Sequence, residues 1–195
     1  MSFPLWRDHG HRDTLPQGDG QMSDTIVTAT TASDYEAFAQ LVREYVEWCR
    51  SRYQQDAWFV DQALSHQSLD RELQDLAVSY GPPNGRTFLA RHEGQISGCG
   101  AYRRRTDDIC EMKRLSVPDR FRGKGHGRKL CEALIRSAKD EKFKLMRLDT
   151  GNLLTEAIAL YESFGFRRCA PYYDYPEKLM PYIVFMEKPL AGASP

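Results

Sequence analysis

Residues 121–130 read FRGKGHGRKL. Glycines alternate with side chains at Gly123, Gly125 and Gly127, and cations surround them at Arg120, Arg122, Lys124, Arg128 and Lys129. The whole chain nevertheless balances 27 Lys+Arg against 27 Asp+Glu. A flexible surface loop is the plain explanation of such a stretch, and its neighbours decide against it. Upstream, Ile109–Val117 has strand composition. Downstream, Leu130, Cys131, Leu134, Ile135 and Ala138 recur at helical spacing. The glycines therefore lie between a strand and a helix N-terminus. Such a terminus presents unsatisfied amides and a partial positive charge, and glycine lets a ligand approach the backbone. Together they make an anion site.

Two familiar phosphate patterns do not fit. A Walker A loop needs glycine where Pro118 stands and Ser or Thr where Gly125 follows Lys124. A dinucleotide fingerprint read from Gly123 or from Gly125 meets Arg128 or Leu130 where its last glycine belongs. What fits is R-x-x-G-x-G over Arg122–Gly127.

The rest of the chain supplies the frame. Thr25–Thr30 reads as a strand. Ser33 and Glu36 are spaced as a capping box, opening a helix that puts Phe38, Leu41, Val42, Tyr45, Val46 and Cys49 on one face. Leu69, Leu73 and Leu76 mark a second helix, ended by the Gly/Pro loop 80–85. Arg86–Arg91 and Gln95–Arg103 are strands joined by a turn at His92-Glu93-Gly94. After the glycine-led helix come a strand at Lys144–Asp149 and a helix with its stripe at Leu154, Ala157, Ile158 and Tyr161. Asn152 is spaced to cap that helix and Gly165 to close it. Phe166–Tyr173 and Tyr182–Lys188 make a terminal strand pair. The order β-α-α-β-β-β-α-β-α-β-β implies one α/β domain around a mixed sheet.

Composition bounds the function. Hydrophobic content of 41% and charged content of 28% are ordinary for a soluble domain. A formal charge of zero argues against nucleic acid as partner. No run approaches the roughly 18 apolar residues of a membrane span, so no membrane association is expected. Five cysteines, an odd number without a CxxC pair, fit neither a disulfide framework nor a zinc knuckle. Buried thiols in a reducing cytoplasm and no bound metal are the expectation. Residues 1–22, polar and aperiodic, read as a disordered tail without a secretory h-region, and Met22 as an alternative start. The domain is expected over 23–190, with a short tail at 191–195.

The loop and its surroundings resemble the GNAT superfamily of acyl-CoA N-acyltransferases. Cys110–Val117 looks like the family's strand beside acetyl-CoA, Leu148-Asp149-Thr150 like its next strand, and Tyr161-Glu162-Ser163-Phe164-Gly165-Phe166 like its Tyr-x-x-x-Gly-Phe element. The resemblance covers residues 24–190. It implies a mostly antiparallel sheet of about seven strands, flanked by about four helices, with a splayed parallel strand pair at the acetyl-CoA site.

It also implies roles. Backbone amides across Arg122, Gly123, Lys124, Gly125, His126, Gly127 and Arg128 would receive the coenzyme diphosphate. Arg120, Lys124, Arg128 or Lys129 could meet the 3′-phosphate, which carries roughly −1.5 to −2 charge. Leu115 and Val117 would offer main-chain hydrogen bonds to the pantetheine arm and the acetyl carbonyl. Asn152 could touch the coenzyme or merely cap its helix. Glu111 is the candidate base for the acceptor amine, or simply a Glu–Lys partner on the sheet. Tyr161 is the candidate acid for the leaving sulfur, or a core tyrosine. The acceptor would be a primary amine on a small molecule or peptide, selected by the first two helices and region 171–181. Trp48, Trp58 and Phe59 read as core or interface rather than substrate wall. A homodimer is compatible with this reading. The alternative is a coenzyme A-binding module without turnover.

Overall fold

The computed structural model describes residues 24–190, so both expected tails lie outside the described residues. Seven strands form one sheet: β1 (Thr25–Thr28), β2 (Gly85–His92), β3 (Gln95–Arg104), β4 (Ile109–Ser116), β5 (Leu145–Gly151), β6 (Arg167–Arg168) and β7 (Ile183–Pro189). Their order is β1-β2-β3-β4-β5-β7-β6. Every neighbouring pair is antiparallel except β4–β5, which is parallel. Six α-helices accompany the sheet: α1 (Ala32–Tyr53), α2 (Ala57–His66), α3 (Leu69–Gln74), α4 (Leu76–Tyr80), α5 (His126–Asp140) and α6 (Thr155–Ser163).

The helices cover the sheet because each has an apolar stripe to bury. From α5, Cys131, Leu134, Ile135 and Ala138 meet Tyr102, Met112, Met146 and Leu148 of the sheet, and Ile158 and Tyr161 of α6 join them. On the other face, Phe38, Leu41, Val42 and Val46 of α1 pack with Leu76 and Tyr80 against Leu89, Cys99 and Ala101. A third cluster joins α1 and α2 to the C-terminal segment through Cys49, Tyr53, Phe59, Val60, Tyr175, Leu179 and Phe185.

Four local expectations are corrected. The capping box is formed by Thr31 and Asp34, not Ser33 and Glu36: the Thr31 hydroxyl accepts from the Asp34 amide, and Asp34 accepts from the Thr31 amide. Thr31 has extended backbone angles, which an N-cap needs. The second helix, expected from Leu69 to Leu76, is two, α3 and α4, which Asp75 divides by turning out of helical geometry and accepting from the Val78 amide, and α2, unmarked in the sequence, precedes them. The terminal strand shrinks to Arg167–Arg168. Cys169 still donates its amide to Phe185, but Pro171 and Pro176 follow, and proline has no amide to give a ladder. Finally, Asn152 does not cap α6. Its side-chain amide donates to the Pro181 carbonyl and its oxygen accepts from the Tyr53 hydroxyl, while Leu154 holds the N-cap position of α6 and offers no side-chain cap.

The feature that positions the site is a short ladder. β4 and β5 pair at only three positions, Ile109–Leu145, Cys110–Met146 and Glu111–Arg147. Beyond them β5 stays with β7 to its end, through Gly151–Ile183. β4 meanwhile turns away at a bulge: its register with β3 shifts between the Ala101–Lys113 and Cys99–Ser116 pairs. Arg114, within the bulge, has φ of 58°. The expected splayed pair is thus observed. Replacing Thr31 by Ala should cost about 1 kcal/mol of stability through loss of the cap, read as a lower urea midpoint with an unchanged slope.

Candidate active site

The splay opens a groove on the α5 side of β4. Leu115, Ser116 and Val117 form one wall, Arg122, Gly123, Gly125, His126, Gly127 and Arg128 the head, and Ala157, Leu160 and Tyr161 of α6 the other wall. Gly123 and Gly125 have φ of 78° and 81°, the left-handed region that glycine enters without a Cβ penalty. A Cβ at either position would meet nothing within 4 Å. The loop backbone therefore faces open space. The Lys129 amide already bonds back to the Gly125 carbonyl. The earlier amides of the α5 terminus are those a helix leaves without intrahelical partners.

The cations divide into two sets. Arg122 and Arg128 line the groove. The Arg122 guanidinium lies 4.3 Å from the Trp48 ring centre and donates to the Val117 carbonyl, and Arg128 stacks over Phe164. The other three turn elsewhere. Arg120 pairs with Glu44 at 2.9 Å, Lys124 approaches His92 Nε2 at 3.0 Å, and Lys129 approaches Asp24 at 3.2 Å.

A second cavity continues from the groove toward α1 and α2. Tyr45, Cys49, Tyr53, Phe59, Val60, Ala63 and Leu64 form its helical wall. Its floor carries Gln67, Lys113, Arg114, Asp149 and Tyr175. Tyr45, Leu115, Thr150, Leu154 and Tyr161 line both spaces. Tyr161 therefore stands where they join, while its ring packs edge-on against Phe166. It belongs to the core and also lines both spaces. Burial pushes its hydroxyl far above the ordinary tyrosine value, with Cys131 and Asp149 adding to the shift, so it stays protonated at neutral pH. Burial likewise pushes the Cys49 thiol up to about 11.

Charge on the floor is paired throughout. Lys113 donates to Asp149 at 2.8 Å and lies 3.8 Å from Glu111. Asp149 also accepts from Gln67 at 2.8 Å and from Tyr175 at 3.1 Å. Burial works against the Asp149 carboxylate, but Lys113 and Arg114 more than offset it and hold its pKa below the usual carboxylate range. Glu111 is fully buried. It accepts from Arg103 at 2.9 Å and from Tyr173 at 2.7 Å, and it lines neither cavity. Arg103 and Arg114 both reach Glu72 of α3, at 3.1 and 2.7 Å.

The structure thus brings Leu115, Val117, Arg122, Gly123, Gly125, His126, Gly127, Arg128 and Tyr161 to one continuous space. The Lys124 side chain lies outside it. Asn152 braces Tyr53 at the cavity's edge, and Glu111 stands one layer behind the floor. Sequence reasoning missed Gln67 and underused Asp149, whose only signal was its place in the Leu148-Asp149-Thr150 stretch of β5. Trp48 and Phe59, expected to be core or interface, line the groove and the second cavity respectively. Trp58 is more than a third exposed.

Residues 44–166 match the sequence model of the acetyltransferase (GNAT) family. An N-acetyltransferase of Schizosaccharomyces pombe, described as uncharacterised, is 36% identical over 164 residues, covering 83% of this chain and 92% of its own. The IAA acetyltransferase of Azospirillum brasilense is 35% identical over 156 residues, covering 80% of this chain and 92% of its own. Among solved structures, the PaiA N-acetyltransferase of Thermoplasma acidophilum in complex with coenzyme A superposes with a TM-score of 0.66 at 17% identity, over 86% of this chain and 99% of that one. The chain belongs to the GNAT family and is an acetyl-CoA-dependent acetyltransferase. No helix among the described residues is long and apolar enough to cross a membrane.

The sign of the Asp149 shift gives an acid prediction. Its folded pKa is lowered, so its contribution to stability is complete above the unfolded value of about 3.9 and is lost as pH falls through the folded value. Asp149→Asn should therefore flatten the acid limb of the stability curve, measured as the urea midpoint from about pH 5 down to about pH 3, around that unfolded value. An acid limb as steep as the wild type's would remove Asp149 from the account.

Proposed function

We propose that the protein transfers the acetyl group of acetyl-CoA to a primary amine of a small molecule or peptide by direct attack within a ternary complex. The observation that carries this reading is the continuity of the loop groove with the paired-charge cavity at Tyr161 and Leu115. The diphosphate is taken by the loop amides from Gly123 to Arg128 with Arg122 and Arg128 beside them, and the pantetheine arm runs along Leu115 and Val117. The thioester then reaches the junction, and the acceptor enters between α1, α2 and the floor.

Direct attack is favoured over an acyl-enzyme by the cavity's cysteine. Its thiol, raised to about 11, carries very little thiolate at neutral pH, and thiolate is the nucleophilic form. The acceptor arrives as an ammonium ion. Freeing a lysine-like amine with a pKa of about 10.4 costs roughly 4–5 kcal/mol at pH 7. Asp149, ionised and at the cavity wall, holds the ammonium and passes its proton through water. Glu111 acts one layer back by fixing the charge and place of Lys113. The amine nitrogen then bonds to the acetyl carbon, the C–S bond breaks, and Tyr161 supplies the proton to the departing sulfur. An unpaired β4 amide polarising the carbonyl could contribute about 3–4 kcal/mol, and juxtaposition of the reactants roughly 7–11 kcal/mol.

A panel of amines assayed with acetyl-CoA by thiol release tests the reading. Tyr161→Phe should lower kcat by about 100-fold, the lower end for general acid catalysis, with acetyl-CoA KM little changed. Asp149→Asn should lower kcat/KM for the acceptor. Glu111→Gln should slow turnover without abolishing it and without moving the pH–rate profile. Acetyl-CoA failing to bind the purified protein in a calorimetric titration would end the proposal.

A further inference from the structure

Three metal-ligating side chains meet beside the phosphate loop, and the transfer chemistry uses none of them. Asp24 stands just before β1, His92 closes β2 and His126 opens α5. One carboxylate oxygen of Asp24 lies 2.6 Å from His92 Nδ1, and the other lies 3.3 Å from His126 Nε2. The two imidazole centres are 5.4 Å apart. One ligand atom from each of the three residues falls within 4.8 Å of the others.

Two observations point to a cation. First, His126 is 1% exposed; among the described residues its Nδ1 has no hydrogen-bond partner, and its Nε2, though 3.3 Å from Asp24, is not aligned for a hydrogen bond. A buried imidazole normally has one, and the His126 nitrogen that stands at the cluster is Nε2. Second, the cluster already draws positive charge. The Lys129 ammonium sits 3.2 Å from Asp24 and the Lys124 ammonium 3.0 Å from His92 Nε2. Both belong to long side chains that can swing aside. One carboxylate and two imidazoles suit a first-row divalent ion. Tetrahedral bonds of about 2.0–2.1 Å put ligand atoms about 3.4 Å apart, close to the spacing of Asp24 and His126.

We propose that Asp24, His92 and His126 bind a divalent transition cation of the zinc type, with water completing the shell. Binding through His92 Nδ1 moves the ring proton to Nε2. That nitrogen then stops accepting from Lys124, and Asp24 stops holding Lys129. Both ammonium groups are released next to the glycine loop. Resting on the coenzyme assignment above, the metal therefore strengthens acetyl-CoA binding, and by reciprocity acetyl-CoA strengthens metal binding by the same factor.

The test uses the full chain, stripped with a chelator and titrated with Zn²⁺ alone and with Co²⁺ alone. The expected result is one equivalent bound, with the intense visible absorption of tetrahedral Co²⁺. Asp24→Asn and His92→Gln, each checked by thermal melting, should weaken uptake by at least roughly 100-fold, the upper end of the cost of losing even a group that only orients a ligand. A His9→Gln/His11→Gln variant should bind as the wild type does. Absence of saturable one-equivalent uptake overturns the site, as does uptake unchanged in both ligand variants, which would place the ion on thiols. Uptake lost only in the His9/His11 variant overturns it as well. An acetyl-CoA titration with and without Zn²⁺ then reads the coupling. Equal affinities refute the release of Lys124 and Lys129, whereas no acetyl-CoA binding in either arm refutes the coenzyme assignment and leaves the metal result standing.

Discussion

The parting of β4 from β5 after the Glu111–Arg147 pair is the constraint on which the rest of the molecule depends. Parallel neighbours ordinarily share a ladder along their length, because an unmade backbone hydrogen bond is costly. Here β5 is committed to β7 at seven positions, and β4 bends at the bulge where Arg114 adopts a left-handed backbone. A non-glycine residue so placed costs of order 1–3 kcal/mol and persists only where its surroundings over-determine it. The surroundings do so: the Arg114 guanidinium is tied to Glu72 at 2.7 Å, and its carbonyl accepts from the Cys99 thiol at 3.4 Å. The same distortion leaves one edge of β4 open to both the loop groove and the second cavity.

Packing and charge keep this opening from collapsing. Above it, α5 and α6 are anchored by an apolar cluster that includes Tyr161. Below it, Glu72, Arg103, Glu111, Lys113, Arg114 and Asp149 form a chain of contacts from α3 across β3 and β4 to β5. Three carboxylates meet three cations there, so the set is neutral as a whole. Buried pairs of this kind add little net stability compared with apolar residues of similar shape, but losing one member is expensive.

The strand order and the glycine-led helix were legible because they are written in local signals: alternation, helical spacing, and glycines placed between a strand and a helix. The groove residues followed from the same stretch. What stayed hidden depends on distant partners. Thr31 outcompeted Ser33 as a cap because the chain turns into α1 one residue before Ala32. The α2 helix lacks a side-chain cap and follows α1 through a short 3-10 turn, so no start signal marked it. Glu111 looked like a cavity carboxylate because strand alternation cannot reveal Arg103 and Tyr173, eight and sixty-two residues away, closing over it. Gln67 and Asp149 meet across eighty-two residues. The turning of Lys124 toward His92 was equally beyond sequence, since that contact joins the loop to the end of β2.

The unequal construction of the second cavity bears on how its descendants could diversify. One side is an interlocked ionic lattice in which a lone replacement strands a charge, so change there must come in compensating pairs. The other side is aliphatic and aromatic surface from α1 and α2, where one side chain at a time can grow or shrink for roughly 1 kcal/mol per methylene. Drift toward new molecules should accumulate on the greasy helical wall, while the ionic half is inherited nearly intact.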